Sequence, residues 1–213
     1  MSCFAVCGIH NQRMSCEKNR GALILLLAGV AALACRKPDY FPLRENQQWR
    51  YVASGYEIAL PDTAEAEART YAIAVTGSAF EPGIGMVYEV HVTRDEEPYV
   101  SFFFRKTRNA VFVLPASHLD GLEPTSGWVK LLELPLREGG FWYGDAENSA
   151  SFEVMARETV ETPMGRFRDC FRIRIHAPEP YLMDVWLAPD AGIVRWLRRF
   201  SGTRFEVSEL VPR

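Results

Sequence analysis

Along most of the chain, apolar residues recur at every second position. Trp49 and Tyr51 flank Arg50, Tyr71, Ile73 and Val75 are spaced by alanines, and Met86, Tyr88, Val90 and Val92 alternate with Val87, Glu89 and His91. Side chains of a strand point alternately to its two faces, so this period predicts strands with one buried face. Tyr99–Lys106, Asn109–Leu114, Trp128–Leu134, Phe152–Glu161, Phe167–Ile175, Leu182–Ala188, Ile193–Phe200 and Thr203–Leu210 continue it, about ten strands in all. Ala64–Arg69 and Ser117–Leu122 are expected to hold a helical turn each. No long amphipathic helix is expected beyond the leader. Thr162-Pro163-Met164-Gly165 and Pro189-Asp190-Ala191-Gly192 supply short turns, which join antiparallel neighbours rather than parallel crossovers. The expectation is a mainly β domain over 46–213, built as one curved antiparallel sheet, a half-barrel. A sandwich is the alternative.

One segment breaks the pattern. GALILLLAGVAALA, residues 21–34, carries no charge and follows Lys18 and Arg20. A basic start, a short apolar run and small residues at its exit mark a secretory leader, expected as a signal helix. Fourteen helical residues span roughly 21 Å, short of a ~30 Å hydrocarbon core, so a stable spanning helix is the weaker reading. MSCEKNRGALILL, beginning at Met14, already makes a complete start, and residues 1–13 read as a mis-called extension.

The leader's end, Ala31-Ala32-Leu33-Ala34-Cys35, resembles a bacterial lipobox. That resemblance implies cleavage before Cys35 and lipidation of this residue by diacylglycerol and an amide-linked acyl chain, palmitate included. A plain signal peptide and an uncleaved anchor are the alternatives. More than one acyl chain is what stable anchoring takes. Residues 1–34 are then the leader and 35–45 a lipidated, proline-broken tether. Arg36 stands where inner-membrane retention uses Asp, so the resemblance implies the outer membrane, facing the periplasm.

Processing changes the composition. The whole chain has 213 residues, 48% hydrophobic, and a net charge of −3. The leader's three cationic side chains outnumber its one anionic residue, so removal leaves 179 residues at about −5. An acidic exported body lacks the basic field that nucleic acid demands, and no nucleic-acid partner is expected. Of five cysteines, only Cys35 and Cys170 survive. With Cys35 acylated, Cys170 has no partner for a disulfide and reads as a buried, inert thiol in a strand.

YFPLRENQQWRY (40–51), ETVETPMGRFRDCFRIRI (158–175) and VWLAPDAGIVRW (185–196) resemble a widespread class of uncharacterised bacterial envelope domains. These are similar to lipoprotein-carrier folds of the LolA/LolB type, a curved antiparallel half-barrel around an apolar cavity. The shared motifs are turn and packing signatures and bring no catalytic residues. Glu45-Asn46 departs from the pattern, which usually has a glycine turn before the tryptophan.

No motif of metalloprotease, nucleotide-binding or serine-hydrolase chemistry occurs. His91, His118 and His176 lack ligand spacing, and Asp95-Glu96-Glu97 reads as a hairpin tip. Asp184 lies between Met183 and Val185, either partly buried or on a solvated face. Neither a catalytic residue, a metal site nor a cofactor is expected, and the protein is read as a non-enzyme. Trp49, Tyr51, Phe102, Phe104, Trp142 and Trp186 are the residues expected to line a cavity for an apolar ligand. The partners expected are the membrane, through the lipid, and an apolar ligand or an envelope protein. The competing expectation is a structural lipoprotein that scaffolds an envelope complex.

Overall fold

The computed structural model describes residues 37–58, 63–65, 68–115, 127–145, 147, 150–177, 182–200 and 204–212. The leader and Cys35 lie outside the described residues, as does Ser117–Leu122. Asp39–Arg213 forms one compact unit, and all that follows concerns this unit. It holds β1 (Gln48–Ile58), β2 (Thr63–Glu65), β3 (Arg69–Glu81), β4 (Gly85–Arg94), β5 (Glu97–Lys106), β6 (Ala110–Pro115) and β7 (Val129–Glu133). After these come β8 (Phe141–Tyr143), β9 (Ser151–Thr162), β10 (Gly165–His176), β11 (Leu182–Ala188), β12 (Gly192–Arg199) and β13 (Arg204–Val211). No helix occurs among the described residues.

All of these strands join one antiparallel sheet, ordered β7-β6-β5-β4-β3-β1-β13-β12-β11-β10-β9-β8, with β2 paired beside β1. Nearly every neighbour in space is also a neighbour in sequence, as the short turns predicted. The exception is the first strand, which pairs with the last from Arg50↔Val211 to Glu57↔Arg204. That pairing carries the sheet past the expected half-barrel to a nearly closed barrel. The two free edges, β7 and β8, then approach each other. Lys130 N donates to Gly144 O at 2.6 Å, and Trp142 Nε1 donates to Lys130 O at 3.3 Å. A Cβ on Gly144 would stand 2.8 Å from Val129 and 2.9 Å from Phe152, so only glycine permits this approach. Closing the sheet removes most of the exposed edge that an open half-barrel would present.

Of the expected helical turn at Ala64–Arg69, residues 66 and 67 lie outside the described residues, and those that are described at its two ends are not helical. Thr63–Glu65 pairs with Tyr56–Ile58 as β2, and Arg69 already begins β3. β-Sheet pairing along β1 overrides a weak local helical preference. The Glu45-Asn46 departure has a simple basis. Asn46 takes the left-handed conformation, φ 63°, which asparagine tolerates better than most residues, and its N–H bonds Val75 O at 3.0 Å.

Tyr51, Ala53, Tyr71, Val75, Val90, Val111, Phe152, Val154, Ile173, Val185, Val194, Trp196 and Leu210 are buried and belong to one core. The β9–β10 hairpin is longer than the barrel wall and bends at an irregularity between Phe167 and Cys170. Its tip lies over the outer face of β12 and β13, where Met164 N donates to Leu210 O at 3.1 Å and Arg195 bonds Glu161 O at 2.6 Å. Cys170, fully buried at this bend, has its thiol pushed up to about 11 by burial. A thiol so placed is inert.

Candidate functional site

The inside of the barrel differs along its length. At one mouth, residues 39–43, expected to belong to the tether, cross the opening and pack into it as a plug. Lys106 Nζ pairs with the Asp39 carboxylate and donates to Phe41 O at 2.9 Å. From across the mouth, Asp190 N donates to Asp39 O at 2.7 Å, and Asp39 N donates to Asp190 Oδ1 at 3.1 Å. Phe41 lies 5.3 Å from the Phe104 ring, Tyr40 lies 5.0 Å from Phe171, and Pro42 is fully buried. This is what the YFPL segment does physically: consecutive aromatic, proline and leucine side chains fill a hole that the strands cannot close.

Behind the plug, Phe41, Pro42, Leu43, Trp49, Tyr51, Ile73, Val90, Phe104, Gly192 and Ile193 enclose a cavity of about 60 Å³. Small-molecule sites measure roughly 300–1,000 Å³, so this space is a packing void rather than a ligand seat. Its polar atoms are satisfied. Trp49 Nε1 donates to Ala191 O at 2.8 Å and Tyr51 Oη to Ile193 O at 2.9 Å. Three of the six aromatics, Trp49, Tyr51 and Phe104, therefore share this void, and the Phe102 ring lies tilted against Phe104 at 6.2 Å. The other two lie elsewhere. Trp142 stacks on Phe152 at 5.5 Å near the β7–β8 edges. Trp186 lies on the outer face of β11, bonded to Glu158 and flanked by Arg172 and Arg195.

Away from the plug, the inner wall of β12 and β13 turns polar. Val207, Glu209 and Leu197 line a shallow outer groove with Trp186, Val52 and Pro163, so Trp196, Arg198, Glu206 and Ser208 point inward. Trp196 opposes Ser208 and Arg198 opposes Glu206. Trp196 packs on Tyr51 at 4.4 Å and on Tyr71 at 6.1 Å, and the Arg198 guanidinium lies over both Tyr71 and Trp196. Trp196 is 6% exposed, Glu206 8% and Ser208 0%. Yet Trp196 Nε1, Ser208 Oγ and Glu206 Oε1 have no hydrogen-bond partner among the described residues. Arg198 stands 3.8 Å from Glu206 Oε1, near enough for attraction but not for a hydrogen bond. Burial, then the Glu206 carboxylate, raises the pKa of Tyr71, so its hydroxyl stays protonated. Buried polar groups nearly always find partners, and a patch of three that do not is the feature of this interior that packing does not explain.

The remaining polar candidates have structural roles. Asp184 is buried on the outer face, where Arg172 reaches Oδ2 at 2.7 Å and Arg174 reaches Oδ1 at 2.8 Å. Burial alone would raise its pKa, but the bonds from Arg174 and Arg172 outweigh it and hold the carboxyl below its ordinary value. Four strands separate His91 on β4 from Asp184 on β11. His91 is exposed beside Glu89, and His176 is exposed at the end of β10. His118 lies outside the described residues. Asp95 sits at the β4–β5 turn, where Oδ1 accepts from Thr70 N at 2.8 Å. Sequence reading missed Trp196, Glu206 and Ser208. The signal available was Glu206-x-Ser208-x-Leu210, a polar pair in register with a core leucine.

No protein-family model matches the chain, and no curated protein matches it. Among solved structures, it is similar to a Bacteroides fragilis protein described as exported, with a YmcC-like fold, at 17% identity and a TM-score of 0.45. It is also similar to a Parabacteroides distasonis protein described as a lipoprotein, at 14% identity and a TM-score of 0.46. Each comparison covers 82% of this chain and 98% of the other. Likenesses this distant assign no function.

Proposed function

We propose that the protein is a non-enzymatic envelope lipoprotein, acylated at Cys35 and held at the outer membrane, whose barrel binds the uncharged polar head of an amphipathic ligand. The observation that carries the ligand is the buried, unpartnered set of Trp196 Nε1, Ser208 Oγ and Glu206 Oε1. Two of these can donate and two can accept, and the aromatic rings of Tyr51, Tyr71 and Trp196 surround them. The chemistry also selects against charge. Arg198 opposes a cation and Glu206 opposes an anion, whereas a hydroxyl or amide meets neither repulsion. The apolar part of the ligand then lies toward the mouth away from the plug, because the plugged half is filled.

Native mass spectrometry of a periplasmic Cys35→Ala chain tests this. An added uncharged amphiphile, monooleoylglycerol, is expected to bind, oleate to bind at least several-fold more weakly, and Trp196→Phe to weaken the first. Binding that ignores Trp196→Phe would remove the site, and absence of any binding would remove the ligand. A scaffolding role is favoured by a different observation. Phe141 and Tyr143, 52% and 49% exposed, meet edge to face on the three-residue strand β8. Crosslinking from Tyr143 in cells would then trap one envelope protein.

A further inference from the structure

The plug fixes more than the core. Asp39 is pinned at one mouth by Lys106 and Asp190. Cys35 lies four residues upstream in the sequence. Even fully extended, four residues reach only about 14 Å. If Cys35 carries lipid, as the reading above holds, the plugged mouth cannot stand far from the bilayer.

The β3–β4 hairpin projects at this same end. Val87 pairs with Arg105, which sets Met86 level with Lys106, the residue that holds Asp39. Phe80 pairs with Met86, and the turn through Ile84 lies beyond them. Phe80 is 71% exposed, the most exposed large apolar side chain among the described residues, and Met86 is 40% exposed. Burial of such side chains is worth about 1.5–3 kcal/mol each, so leaving them in water is unfavourable in an acidic, periplasmic domain. At the opposite mouth, the β4–β5 turn presents Asp95, Glu96 and Glu97, which are exposed and anionic.

We propose that the plugged mouth faces the membrane and that Phe80, Ile84 and Met86 rest in the lipid interface. The barrel then has a fixed orientation, and the open question of ligand entry is answered by geometry: entry is from the mouth away from the membrane. Interfacial insertion of a few apolar side chains adds to the acyl anchor and restrains the barrel from tumbling on its tether.

The test uses the full chain, matured in a bacterial envelope and reconstituted in phosphatidylethanolamine–phosphatidylglycerol vesicles. An environment-sensitive fluorophore is placed at Ile84→Cys or, separately, at Glu97→Cys. Labelling is selective, since Cys170 is buried and Cys35 is consumed as a thioether. The Ile84→Cys label should emit at shorter wavelength and be quenched by nitroxide lipids several-fold more than the Glu97→Cys label. Equal quenching at the two sites, or stronger quenching at Glu97→Cys, would overturn the orientation. The intact mass separates the two ideas: a chain lacking the acyl increment overturns the anchor and the orientation together, whereas an acylated chain with an unquenched Ile84→Cys label overturns the orientation alone.

Discussion

The two halves of the barrel interior are built from similar residues to opposite effect. In the plugged half, Trp49 and Tyr51 each give their one polar hydrogen to a backbone carbonyl, Asp39 is held from both sides, and a void of only about 60 Å³ is left. Farther along, Trp196 lies against Tyr51, yet its indole N–H and the neighbouring Ser208 hydroxyl have no partner among the described residues. The first arrangement favours stability, because its buried polar groups, Gln47 Oε1 apart, are satisfied. The second gives stability away at defined atoms, which is where a protein's tasks are usually found. Breaking the plugged half should therefore cost folding free energy, and changing the polar wall should not.

The largest effect is expected at Phe104. Its ring touches Phe41 of the plug and faces the void, so Phe104→Ala enlarges a cavity that the barrel wall cannot collapse to fill. We expect a loss of about 3–4 kcal/mol, read from urea unfolding. A loss below ~1 kcal/mol would mean that the plug does not pack as described. Asp184 comes next and concerns the wall rather than the plug. Asp184→Asn leaves Arg172 and Arg174 without their anion, at a cost of about 3 kcal/mol, tempered by their partial exposure. The folded carboxyl titrates below its ordinary value of 3.8, so its contribution is complete above that value. As pH falls through the lower folded pKa, the contribution disappears. The wild-type chain should lose more stability than Asp184→Asn between neutral pH and strong acid. Parallel pH curves would refute the pairing.

Much of this was legible in the sequence, for reasons that differ by region. Leu182–Ala188 is legible residue for residue, because its short apolar run is bounded by turn chemistry on the later side and both its neighbours are hairpin partners. The next run, Ile193–Phe200, follows the simple alternation that marks it as a strand, with Arg195 on Glu209 outside and Arg198 near Glu206 inside. What sequence could not show was closure. The β1–β13 pairing joins residues more than 140 positions apart, and no local pattern encodes such a contact. The polar wall was hidden for a subtler reason. Phe205 and Val207 mark the apolar face of β13 by pattern, but the folded-over β9–β10 hairpin lies against the outside of the barrel. Val207, Leu197 and Val52 face that cover, so the apolar face of β13 points outward and Glu206 and Ser208 point in. Binary patterning reports which face is covered, not which face is inside.

The smallest expected effect is the sharpest test of the contrast. Tyr51→Phe and Ser208→Ala each delete one buried hydroxyl, on neighbouring strands facing the same interior. Removing the Tyr51 hydroxyl strands the Ile193 carbonyl, and we expect a loss of about 1–2 kcal/mol. Removing the Ser208 hydroxyl deletes a group that pays desolvation with no bond in return. Ser208→Ala should therefore lie within about 0.5 kcal/mol of wild type, or be slightly more stable. Matched denaturation of the two variants decides the matter. If Ser208→Ala costs as much as Tyr51→Phe, the distal hydroxyl already has a bound partner in the free protein, and the polar wall is a satisfied structural network like the plug. If Ser208→Ala is neutral while ligand binding weakens, Ser208 is kept for a partner that arrives from outside the fold.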